Sequence, residues 1–110
     1  MSNRKKISEA RRVKHFRDVR QTNDFLSDWD RLEASGRHDM NRLKEAMSIL
    51  AFNDGPMPPE WKDHQINGKF NDYRECHVKG DLLLIYRIKE DSKVEVLVLM
   101  RAGTHSELFR

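Results

Sequence analysis

Between Trp61 and Phe109 the chain concentrates the residue types that can move protons and hold phosphate: His64, His77, Asp81, Arg101, His105 and Phe109. Imidazole changes charge near neutral pH, and a nearby carboxylate fixes its tautomer, so such a set suits general acid–base work. Strand alternation sets His77 on the opposite face from Cys76 and Val78, alongside Tyr73 and Glu75. Asp81 follows the Lys79-Gly80 reversal and is expected to approach His77 at the end of a sheet. The plainer alternative is an exposed histidine and an unrelated turn aspartate. Arg101 ends an apolar segment, and Ala102-Gly103 behind it gives the backbone room to turn sharply. Its guanidinium could grip a phosphate with two parallel N–H groups, or sit in a surface ion pair. His105 opens a terminal helical turn, where unpaired N–H groups favour an anion. Phe109 is either a core plug under that turn or a platform on which a base stacks.

Other chemistries find less support. Structural zinc announces itself by Cys and His pairs at short spacing, and none occur. His64, His77 and His105 are far apart in sequence, so no metal ligand and no cofactor is assigned. Cys76 is expected on the face opposite His77, which leaves it without a base and argues against a cysteine nucleophile. No glycine-rich phosphate loop and no GxSxG elbow is present.

These residues need elements to carry them. Residues 1–12 are polar and basic, and are expected to form a flexible, solvated extension. A first, edge-type strand is expected over Val13–Val19. Thr22 can cap a helix that places Phe25, Trp29 and Leu32 on one face and ends at Gly36. A second helix starts near Asp39, with Met40, Leu43, Met47, Leu50 and Ala51 at helical spacing, and the prolines at 56, 58 and 59 stop it. An irregular loop then carries Trp61 to His64. Three strands follow, over Asp72–Lys79, Leu82–Lys89 and Val94–Met100. The middle one is apolar on both faces and so belongs inside a sheet. Thr104 and Glu107 have the spacing of a capping box, which starts a short last helix. Helices followed by a run of strands give an α+β domain with the helix pair on one sheet face. Residues 13–110 form that single domain.

Composition sets the bounds. The chain has 110 residues, 37% hydrophobic and 35% charged, with a net charge of +3. That length is one domain. Residues 1–20 hold eight Lys/Arg against two Asp/Glu, whereas residues 55–110 hold nine of each. The basicity is therefore local, which permits a phosphate-bearing partner without requiring one. The absence of a long apolar run argues against a membrane span, and the basic start has no apolar segment behind it to act as a secretory signal. A single cysteine fits a reducing compartment, so a cytoplasmic location is expected.

With these residues in place, the chain resembles the YafQ-type toxins of the RelE/ParE toxin–antitoxin superfamily. The resemblance rests on His38-Asp39-Met40-Asn41-Arg42-Leu43-Lys44, Lys62-Asp63-His64, Tyr73-Arg74-Glu75-Cys76-His77, Leu84-Ile85-Tyr86 and Arg101-Ala102-Gly103-Thr104-His105, closed by Leu108-Phe109. It spans roughly residues 15–110 and implies the fold just described. It also implies an mRNA interferase, which cuts message in the ribosomal A site without a metal, using the ribose 2′-hydroxyl as nucleophile. His77, Asp81 and His105 would then transfer protons with His64 in support, Arg101 would stabilise charge, and Phe109 would hold a base. The implied partners are a cognate antitoxin, the ribosome and mRNA, with DNA met only through the antitoxin complex and no membrane. Leu82 stands where similar toxins carry tryptophan, so a codon preference does not carry over. The competing expectation is a ParE-like toxin that binds DNA gyrase without hydrolysis; it would share the fold.

Overall fold

The computed structural model describes residues 16–52, 55–91 and 94–109. The basic extension at 1–12, and the part of the expected first strand before Phe16, lie outside the described residues.

Five strands form one sheet in the order β1-β5-β4-β3-β2. They are β1 (Asp18–Gln21), β2 (His64–Gln65), β3 (Arg74–Lys79), β4 (Leu82–Asp91) and β5 (Val94–Thr104). The meander β3-β4-β5 is antiparallel, and β1 adds to the far side of β5 in parallel. Central position explains the composition of β4, in which Leu82, Leu83, Leu84, Ile85 and Tyr86 are all buried. The two-residue β2 pairs with β3 inside the stretch expected to be irregular. The first strand is edge-type as expected but starts at Asp18, later than the Val13 of the sequence reading. Its four side chains are all exposed, so no alternation marks its limits.

Two helices cover one face: α1 (Asn23–Ser35) and α2 (Met40–Phe52). The Thr22 hydroxyl accepts from the Phe25 amide, and Gly36 ends α1 at φ 68°, a left-handed position that suits glycine. Asp39 caps α2 by accepting from the Arg42 amide. Phe25 and Leu32 from α1, with Leu43, Ala46 and Leu50 from α2, meet Cys76, Val78, Leu82, Leu84, Tyr86, Leu97 and Leu99 in a single core. Leu82 thus packs into the core instead of facing the open side. Trp61 closes one end of the core, with the Arg42 guanidinium 3.7 Å above its ring.

One correction concerns β5. Arg101 was expected to end the strand and Ala102-Gly103 to turn, yet β5 continues to Thr104, and Gly103 is not among the positive-φ glycines. Gly103 has a different reason to lack a side chain. A Cβ there would lie 3.1 Å from Arg31 Nη2 and from Glu107 Oε1, and 3.3 Å from Leu108 Cδ2. The last helix, α3 (His105–Leu108), is pressed against it, started by the Thr104–Glu107 capping box.

Candidate active site

The Lys62-Asp63-His64 segment is built residue by residue. Lys62 takes a left-handed turn at φ 50°, and its carbonyl accepts from His64 Nδ1 at 2.7 Å. Asp63 pins the loop to the sheet, accepting from the Tyr86 hydroxyl and from Arg74 Nη2 at 3.2 Å. His64 is then carried by β2 across from Glu75, with Nε2 2.9 Å from Glu75 Oε1. Both ring nitrogens of His64 therefore face acceptors.

His77 lies two residues further along β3, on the same face as Glu75. Its ring centroid is 5.9 Å from that of His64. Donor atoms of His64, Glu75 and His77 all fall within 4.8 Å of one another, close enough to hold a metal ion. Distance in sequence, which argued against a metal, does not keep these residues apart in space. A cation there would have to break the contact between His64 Nε2 and Glu75 Oε1.

The sheet register extends the set. Glu75 pairs with Ile85, and Ile85 with Arg101, so His64, Glu75, Ile85 and Arg101 form one row across four strands. The next row runs His77, Leu83, Gly103. Cross-strand partners share a face, and adjacent strands lie about 4.8 Å apart, so Arg101 stands some ~10 Å from Glu75. Leu82 pairs with Thr104, which brings the turn holding Asp81 and the start of α3 holding His105 to the same end of the sheet. Asp81 is exposed there. The expected approach of Asp81 to His77 is not realised as a contact: among the described residues no hydrogen bond or ion pair joins them, and His77 has His64 as its neighbour. His105 is exposed and lies against Phe109, ring centroids 4.9 Å apart.

Arg101 is not a loose cation. Its Nε and Nη2 donate to Asp28 Oδ2 and Oδ1 at 2.6 and 3.1 Å. Beside it opens a pocket of about 300 Å³, walled by Phe70, Tyr73, Ile85, Met100, Arg101 and Phe109 among others. Phe109 is half-buried on that wall, so it serves the pocket and not the core. Cys76 is fully buried, and burial, with Asp63 and Glu75 nearby, pushes its thiol up to about 12. It is no nucleophile at neutral pH.

Glu75, Asp63 and Asp28 were not singled out from sequence. Glu75 had a usable signal, because it precedes His77 by two in a strand. Asp28 had one too: it interrupts the apolar stripe Phe25, Leu32 of α1.

Residues 17–110 match the family described as "Bacterial toxin of type II toxin-antitoxin system, YafQ". The chain belongs to the YafQ toxin family. The mRNA interferase toxin YafQ of Escherichia coli K12 is 36% identical over 93 residues, covering 84% of this chain and 96% of that one. The crystal structure of YafQ from E. coli BL21(DE3) superposes with a TM-score of 0.75 at 34% identity, over 86% of this chain and 99% of that one. The E. coli DinJ–YafQ complex gives a TM-score of 0.73 at 35% identity, again over 86% and 99%. An α+β toxin fold of the YafQ kind is thereby established for this chain.

Proposed function

We propose that this chain is the toxin of a type II toxin–antitoxin pair and an endoribonuclease that cuts mRNA held in the ribosomal A site, so halting translation. The observation that carries this reading is the shared row of His64, Glu75 and Arg101, with His77 beside it and His105 and Phe109 at the same sheet end. An extended strand of RNA laid across β3, β4 and β5 would meet imidazoles, a guanidinium and an aromatic ring in turn.

The reaction needs no group from outside the chain and its substrate. A ribose 2′-oxygen attacks the adjacent phosphorus as its proton is taken, the P–O5′ bond breaks, and the leaving 5′-oxygen receives a proton. The products are a 2′,3′-cyclic phosphate and a 5′-hydroxyl. His77, Asp81 and His105 form the proton-transfer set, with His64 in support and held through Glu75. Arg101 offers N–H groups to the charge that builds on phosphorus. Phe109 and the pocket behind it hold a base by stacking. Acid–base catalysis supplies about 10² to 10⁴-fold, and the remainder comes from alignment, which a ribosome-bound codon provides and free RNA does not. The chain works in the cytoplasm, where its partners are a cognate antitoxin, ribosomal RNA and mRNA. Among the described residues no helix is long and apolar enough to cross a membrane.

Inducing the chain in bacteria and mapping mRNA 5′ ends tests the proposal. Codon-phased cuts are expected. Growth arrest with DNA damage and no cuts would overturn it in favour of the non-hydrolytic gyrase-binding alternative.

A further inference from the structure

We infer that Asp28 is a positioning residue for Arg101, fixing the guanidinium before any RNA arrives; the inference rests on the proposal that Arg101 meets the scissile phosphate. Asp28 is 2% exposed, on an α1 stripe whose other buried members are Phe25 and Leu32. Its carboxylate accepts four hydrogen bonds: Arg101 Nε at 2.6 Å, Arg101 Nη2 at 3.1 Å, Arg31 Nη1 at 2.7 Å and the Ala102 amide at 3.0 Å. A buried charge is costly unless fully paired, so this carboxylate depends on all four donors.

The fold explains part of this arrangement. β1 ends opposite Leu99, so β5 beyond that point has an uncovered edge. Thr22 meets the Leu99 and Met100 carbonyls, Asp28 takes the Ala102 amide, and Arg31 donates to the Ala102 carbonyl at 3.3 Å. Edge repair requires one carboxylate oxygen on the Ala102 amide. It does not require the second grip, in which both oxygens seize Arg101 side-on. That grip uses two of the five guanidinium N–H groups and leaves three for another acceptor. Arg101 lines the pocket with Tyr73, Met100 and Phe109. A long side chain that would otherwise sample many rotamers is thus held in advance, the preorganisation that charge stabilisation needs.

The test uses the full chain and two readouts. In nitrogen-15 spectra the Arg101 Nε–Hε signal should exchange slowly with water, and Asp28→Asn should speed that exchange by ~10-fold or more. Asp30→Asn, an equal charge change on the exposed side of α1, should leave it unchanged. On ribosomes programmed with a short message, Asp28→Asn should lower the single-turnover cleavage rate ~10- to 100-fold, short of the ~10²- to 10³-fold typical of losing a whole charge-stabilising donor. The half-saturating concentration should shift less than about threefold. Should Asp28→Asn fail to fold, Arg101→Lys keeps the charge without the fork and should show the same rate loss. An Arg101 signal indifferent to Asp28→Asn overturns the inference, as does cleavage within about twofold of the parent in either variant. If the parent chain itself does not cut, the proposed reaction falls, and the exchange measurement still decides whether Asp28 holds Arg101.

Discussion

Asp28 carries an electrostatic signature that a titration can read. Burial pushes its carboxyl up, but hydrogen bonds from Arg101, Arg31 and the Ala102 amide outweigh burial and hold it below 3.8. A carboxyl depressed on folding stabilises the native state above its unfolded pKa, near 3.9, and that contribution is lost as pH falls through the lower folded value. Asp28→Ala should therefore cost about 1–3 kcal/mol at pH 7, since it leaves the Ala102 amide and the partly exposed Arg101 without their acceptor, while Arg31 keeps Glu107. Urea unfolding should show the gap between parent and variant closing below about pH 4. At the opposite side of the site, His77→Ala and His105→Ala should each relieve growth arrest and slow cleavage by about 10² to 10⁴-fold with the fold intact. Either variant arresting growth and cutting message as well as the parent would disprove its role. His64, Asp81 and His105 are legible as candidates because they sit at a strand start, a turn and a helix start, whereas His77 and Arg101 lie inside β3 and β5. The His64–Glu75 pair is not legible, since a strand of two residues gives no periodicity to read.

At the scale of elements, the two helices and the meander follow from caps, helical spacing and an apolar central strand. What escaped was set by contacts distant in sequence. β1 shows no alternation because its side chains are exposed, and its place is set by a parallel ladder with β5. Gly103 looks like a turn residue in sequence but is a clearance under α3. Gly103→Val should overpack that contact, costing about 1–3 kcal/mol, and should lower cleavage by displacing the helix that carries His105. Thermal unfolding and a cleavage assay together check this; a variant as stable and active as the parent would refute it. The K-D-H loop depends likewise on Asp63. Tyr86→Phe removes a hydroxyl bonded to it and should cost about 1–3 kcal/mol, measured by urea unfolding.

For the whole molecule, charge and shape divide the work. Residues 55–110, which supply the proposed site, balance nine Lys/Arg against nine Asp/Glu, and the excess positive charge lies in residues 1–20. If Arg4, Lys5, Lys6, Arg11 and Arg12 reach ribosomal phosphates, deleting residues 1–12 should flatten the salt dependence of ribosome binding by about 0.7–0.9 in log–log slope per lost contact. An unchanged slope would make the extension a passive tail. The central claim is that the RNA brings its own nucleophile to a face of imidazoles and one held guanidinium. Its most direct test is a programmed ribosome whose message carries a single 2′-deoxynucleotide 5′ to the scissile phosphate. The full-ribose message should be cut at that bond and the deoxy message should survive intact; equal cutting of both would contradict the account.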